Sequence, residues 1–158
     1  MPRRYLAAVA LCGLLAYIAG CAKGNPDFAE GKKAEALQDY DTALAAYNRA
    51  LKADPNNSLY RIHADQMRFE AAQAHLEQGQ RIREKGDLQM ALAEFRKAIE
   101  LNPKDATAHY RLGRLYDRLG KTTEAKVEYA IQKKLIDDEE SGPFRQQHVT
   151  KGMEPARP

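Results

Sequence analysis

Two cysteines and four histidines are the side chains best equipped for chemistry in this 158-residue chain. Cys21 stands in "YIAGCAKG", at the point where an apolar run gives way to polar sequence. A thiolate there is open to four roles: redox thiol, metal ligand, half of a disulfide, or a nucleophile that accepts a group. Among the histidines, His63 precedes Asp65 by two residues, a spacing that puts them on different faces of a helix. His75 and His109 lie 34 residues apart, and His148 falls near the C-terminal end. No cysteine, histidine or carboxylate set has metal-site spacing, and no serine sits in a nucleophile elbow. The glycines are dispersed, so no phosphate-cradling loop is expected either. These residues predict a protein that is not an enzyme and that carries no cofactor.

The residues before Cys21 decide among its roles. "MPRR" supplies two arginines, and Tyr5 to Gly20 then runs without a charge, which matches the basic start and short apolar core of a secretory signal peptide. The run is shorter than the ~18 to 20 apolar residues a spanning helix needs. Ile18-Ala19-Gly20-Cys21 resembles the lipobox of bacterial lipoproteins, with small residues before a cysteine. That resemblance implies diacylglyceryl transfer to Cys21, cleavage before it, and acylation of the new amine. The competing reading is an uncleaved anchor with an incidental cysteine, but the motif sits where cleavage belongs. Loss of Cys12 with the signal peptide leaves no second thiol for a disulfide or a cysteine metal site. Ala22, and not aspartate, follows the cysteine, so the resemblance implies the inner leaflet of an outer membrane, facing the periplasm.

Charge excludes one class of partner. Without Arg3 and Arg4 the 25 basic residues fall to 23, against 22 acidic ones, with the signs interspersed. A nucleic-acid role is not expected. Cys21 to Pro158 is long enough for one domain with a modest core.

That domain repeats. "ALAAYNRALKADP" from Ala43 and "ALAEFRKAIELNP" from Ala91 share alanine, aromatic, alanine and proline at the same spacing. "AKVEYAIQKKLID" from Ala125 keeps the first alanine and Tyr129 but has Gln132 and Asp137 where alanine and proline would stand. Upstream lie Gly31, Gly79 and Gly113, and "LGRLYDRLG" before the third copy. This pattern resembles the tetratricopeptide repeat, a helical hairpin of 34 residues. Glu30 departs from the leucine of that pattern, which makes the first helix its weakest match. The family implies close helix crossings at the small residues, with Tyr47, Phe95 and Tyr129 filling the space between hairpins. Pro55 and Pro103 end their helices. Asn57 or Ser58, Asp87 and Asp105 are the expected N-caps. His75 and His109 occupy a position where the family has a packing residue, which argues against ligation.

Ala43 and Ala91 are separated by one repeat plus an insertion of 14 residues, "SLYRIHADQMRFEA", without glycine or proline. Leu59, Ile62 and Phe69 keep helical spacing through it, so one unbroken helix is expected from about Ser58 to Lys85. The expected fold class is all-α, a short solenoid of about three hairpins with one elongated helix. Its domains are a signal peptide (1–20), a lipidated tether (21–25), the repeats (26–139) and a flexible tail (140–158). The elongated helix resembles the repeat region that precedes the channel in some secretin-like outer-membrane proteins.

First helices line the inner surface of such a stack. The candidate partner-binding residues there are Phe28 and Lys32, then Leu76, Gln80 and Arg83, then Tyr110, Arg114 and Asp117. Phe28, Leu76 and Tyr110 occupy matching sites and are expected to form an apolar stripe, with the charges setting register. The function implied is a non-enzymatic adaptor, held to the membrane by lipid, that binds an envelope protein such as a secretin or pilus component. An accessory that positions cell-wall hydrolases is the alternative.

Overall fold

In a computed structural model, residues 24–141 are described. The expected signal peptide, Cys21 and the expected tail beyond residue 141, with His148, lie outside them. Six helices follow one another: α1 (Pro26–Ala36), α2 (Tyr40–Ala53), α3 (Ser58–Glu84), α4 (Leu88–Leu101), α5 (Ala106–Arg118) and α6 (Thr122–Glu140). No strand occurs among the described residues, and none of these helices is long and apolar enough to cross a membrane. The chain divides into two compact units between Met67 and Arg68, within α3. Among the described residues the fold is an all-α repeat solenoid of three hairpins.

Each hairpin closes on the same contact. A Cβ placed on Gly31 would stand 2.5 Å from the Tyr47 ring, one on Gly79 2.6 Å from Phe95, and one on Gly113 2.7 Å from Tyr129. The aromatic ring therefore occupies the volume that any side chain at the glycine would fill. This adds to the expected placement between hairpins: each ring lies against its own hairpin's first helix, and Phe95 also shares a core with Ala108 and Leu112 of the next hairpin. Tyr47 also reaches forward, with its ring 5.0 Å from that of His63 on α3.

The turns repeat as closely. Asp39, Asp87 and Lys121 each donate a backbone N–H to the carbonyl five residues back, on Ala34, Ile82 and Tyr116. That is the Schellman ending, which places the intervening residue in the left-handed region. Gly86 (φ 91°) and Gly120 (φ 72°) accept this without a Cβ penalty, but the first hairpin puts Gln38 there at φ 58°. The next residue starts the following helix. Asp39 and Asp87 cap α2 and α4 by accepting from the Thr42 and Met90 amides, whereas Lys121 gives α6 no side-chain cap. Asn25, Asn57 and Asp105 cap α1, α3 and α5.

Before the prolines, Asp54 and Asn102 end α2 and α4 with nearly the same backbone, φ −138° and −133°. Asp137 replaces the third proline, and α6 accordingly runs for 19 residues where α2 and α4 have 14. α3 is unbroken through the insertion, as the lack of breakers predicts. Its packed face is not the one that carries the larger apolar residues of the insertion. Ala64, Met67 and Ala71 are buried, and Leu59, Ile62 and Phe69 are about half exposed. Glu30 is explained by Arg49, whose guanidinium reaches it at 2.7 Å and Asp27 at 2.8 Å. Such exposed pairs are screened by solvent and contribute little to stability.

Gly79→Ala should cost ~1 to 3 kcal/mol in denaturant unfolding, because Phe95 is fully buried and cannot withdraw. Gly113→Ala should cost less, since the partly exposed Tyr129 ring has room to shift. Gln38→Gly should raise the melting temperature by relieving a left-handed strain of ~1 kcal/mol, while Gly120→Ala should lower it.

Candidate functional site

The eight candidate residues fall in both units, and each unit has its own chemistry. In the first, Phe28 is half-buried within a ring cluster, its centroid 4.8 Å from Tyr60, 5.3 Å from His63 and 5.4 Å from Tyr47. Lys32 is exposed. Glu35 accepts the Tyr47 hydroxyl. Burial first, and then that hydrogen bond and the Glu35 charge, push the Tyr47 phenol above its ordinary range. His63 Nδ1 lies 3.2 Å from the same carboxylate, but the angle does not make a hydrogen bond and this nitrogen is buried without one.

In the second unit, the C-terminal half of α3 runs beside α5. Gln73 donates to Asp105 at 3.1 Å, and Leu76 and Ile82 share one core with Leu112 and Leu115. Leu76 is 4 % exposed and belongs to that core, so it offers no surface to a partner. The expected stripe does not form: its three matching positions are half-buried (Phe28), buried (Leu76) and 43 % exposed (Tyr110). What remains is Tyr110, with the Arg114 guanidinium 5.8 Å from its ring centre and the Tyr129 ring 6.0 Å away. The Tyr129 hydroxyl donates to Asp117 at 2.7 Å, and Gln80 donates to Glu84 at 2.6 Å. An exposed ring flanked by a planar cation is suited to holding a peptide.

Arg83 has lost the partner its counterparts keep. Twelve residues before each hairpin's aromatic stand Glu35, Arg83 and Asp117. The two carboxylates accept the hydroxyls of Tyr47 and Tyr129, whereas Arg83 precedes Phe95, which has no hydroxyl. Burial first, and then the positive fields of Arg114, Arg118 and Arg111, hold the Arg83 guanidinium below its ordinary value, with Glu84 pulling the other way. Arg111 and Arg118 were not among the sequence candidates. Their spacing of three and four residues from Arg114 puts all three on one side of α5, and that was the available signal.

His75 and His109 both pair with a glutamate 19 residues on, Glu94 at 2.6 Å and Glu128 at 2.7 Å. His109 is buried, with Nε2 3.1 Å from the Pro103 carbonyl oxygen. These are packing positions whose polar atoms are satisfied. Among the described residues no group of three or more ligating side chains could hold a metal.

Comparison with known proteins agrees with this architecture. Two family models match, one described as Tetratricopeptide repeat over residues 28–81 and one as TPR repeat over residues 79–120. The chain carries tetratricopeptide repeats, a scaffold for protein–protein interaction. It is 32 % identical over 99 residues to TPR repeat-containing thioredoxin TTL4 of Arabidopsis thaliana, which covers 63 % of this chain but only 12 % of that protein. Among solved structures it is similar to MamA protein (25 % identical, TM-score 0.42, covering 70 % of this chain and 72 % of that one). It is also similar to MamA 41-end from Desulfovibrio magneticus RS-1 (18 % identical, TM-score 0.44, covering 88 % and 93 %).

Tyr129 provides a check on the site. Burial, the hydrogen bond to Asp117 and its charge raise the phenol from 10.0 to about 12. A raised folded value means stability that is intact below the ordinary phenol value and is lost as pH climbs through the raised one. Unfolding midpoints should therefore fall between pH 10 and about 12. Tyr129→Phe should remove that part of the slope.

Proposed function

We propose that this chain is a non-enzymatic, lipid-anchored adaptor of the cell envelope, which binds a protein partner through the face built by α3 and α5 in its second unit. The observation that carries the reading is the exposed Tyr110 ring, with the Tyr129 ring 6.0 Å away and Arg114 beside it. A rigid aromatic beside a delocalised cation is a common anchor for peptide segments, since it gives large contact area for little lost entropy. Ile18-Ala19-Gly20-Cys21 supports anchorage through Cys21, and Ala22 supports the outer membrane as destination. The envelope machine served is that of a secretion, pilus or outer-membrane assembly, with a secretin or pilus component as partner.

Recovery of partners from detergent-solubilised membranes tests this. Tyr110→Ala should lose the partner while helicity by circular dichroism is kept. Truncating an anchor of this kind commonly costs ~2 kcal/mol or more, which is roughly thirtyfold in affinity. Arg114→Ala should weaken recovery chiefly at raised salt. Cys21→Ser should leave an unprocessed chain that takes up no labelled fatty acid. A folded Tyr110→Ala protein that recovers its partner in full would overturn the binding face, and lipid uptake by Cys21→Ser would overturn the anchor.

A further inference from the structure

The position twelve residues before the hairpin's ring is an acid in the first and third hairpins and an arginine in the second. Glu35 and Asp117 are used inside their own hairpins, where they accept the hydroxyls of Tyr47 and Tyr129. Arg83 has no such task, because Phe95 offers it no polar atom.

The neighbouring helix adds three more guanidinium groups. Arg111, Arg114 and Arg118 follow at intervals of three and four residues, so they share one side of α5. Ile82, next to Arg83, packs in one core with Leu112 and Leu115, which brings the end of α3 alongside that row. The positive fields of all three act on Arg83. Like charges at such spacing repel. A helix C-terminus offsets this only for its last turn, which holds Arg83 in α3 and Arg118 in α5. None of the four arginines closes an ion pair among the described residues. The carboxylates next to them in sequence, Glu84 and Asp117, accept from the Gln80 amide and the Tyr129 hydroxyl. The face therefore keeps a surplus of positive charge that its own hairpins do not use.

Its dimensions suit an extended chain. Arg111 and Arg118 are separated by ~10 Å along α5, at a rise of ~1.5 Å per residue. An extended segment advances ~3.3 Å per residue, so acids two residues apart match Arg114 and Arg118, and acids three apart match Arg111 and Arg118. Tyr110 stands beside the row, 43 % exposed, with the Arg114 guanidinium 5.8 Å from its ring centre. Its ring offers a flat contact to an apolar residue of the same segment. A lipid surface matches less well, since it presents phosphates in a plane that would also meet the exposed Glu84 and Asp117.

We propose that the α3–α5 face takes an acidic segment of its protein partner, with side-chain carboxylates on Arg83, Arg114 and Arg118 and an apolar residue on Tyr110. This rests on the reading that the face binds protein, and it adds the chemistry of what is bound. A guanidinium takes a carboxylate through two parallel hydrogen bonds, so the row selects Asp and Glu by geometry as well as by charge.

Fluorescence anisotropy on the full chain in detergent tests the proposal. The probe is a labelled peptide with aspartate or glutamate at alternate positions, one central leucine and an amidated end. It should bind at low salt, weaken as salt rises, and bind about tenfold tighter than its asparagine and glutamine counterpart. Arg83→Gln should weaken binding by about tenfold, and the exposed Arg118→Gln by about threefold, with circular dichroism unchanged. Arg83→Lys should recover only part of the loss, since it restores the charge without the fork. Arg49→Gln, which removes the same charge from the first unit, should bind as the native chain does. Equal binding of the neutral peptide, native binding by Arg83→Gln, or an equal loss in Arg49→Gln would each overturn the proposal. Release of the peptide at low salt by micelles carrying phosphatidylglycerol would overturn it too, and give the face to a lipid headgroup. If Arg83→Gln does not fold, Arg118→Gln and the neutral peptide decide the matter. Full recovery of the envelope partner by Arg83→Gln, with its loss in Tyr110→Ala, would sink the acidic segment and leave the adaptor reading standing.

Discussion

The missing side chain of one glycine per hairpin is the constraint on which the other contacts depend. Gly31, Gly79 and Gly113 let the rings of Tyr47, Phe95 and Tyr129 lie directly on the first helix's backbone, with no room for so much as a methyl group. Fixing the ring fixes the distance between the two helices, and with it which residues flank the ring's outer edge. The Schellman turn then has to bring the chain back within three residues, which is why a left-handed backbone recurs at Gln38, Gly86 and Gly120. Close packing of helices is normally bought with small residues on both sides; here the glycine and the large ring make one complementary pair.

Because that geometry is constant, small changes at one position have defined consequences. In the first and third hairpins the residue twelve before the ring reaches the ring's far edge. With tyrosine it is a carboxylate that accepts a hydroxyl, at Glu35 and Asp117. With Phe95 no hydroxyl is offered, and the position is Arg83, whose charge faces its neighbours on α5. The middle hairpin thereby gives its charge to the surface instead of to its own packing. Pairing of His75 with Glu94 and of His109 with Glu128 is the opposite case, in which polar groups are kept for internal use.

α6 departs from the rules that the other helices follow. It lacks the aspartate cap of α2 and α4, has Asp137 where their repeat has proline, and ends on acids where cations are favoured. Among the described residues no hairpin follows α6, and Val127 and Ile131 on it are exposed.

The repeat, the three hairpins and the unbroken α3 were legible in the amino-acid order, because glycine, proline and alanine act locally and their spacing is copied three times. The N-caps at Asn57, Asp87 and Asp105 were legible for the same reason. What the order did not determine was which equivalent positions share an environment. Phe28, Leu76 and Tyr110 occupy one register in the repeat, yet a neighbouring Tyr60 and His63 half-cover the first, a shared core buries the second, and the third is left in water. On α3 likewise, periodicity cannot tell Leu59, Ile62 and Phe69 from Ala64, Met67 and Ala71 as the packed side. Arg111 and Arg118 escaped notice as single charges on a near-neutral chain. Burial and the summing of charge are decided by what stands opposite in space, and only the tertiary structure supplies that.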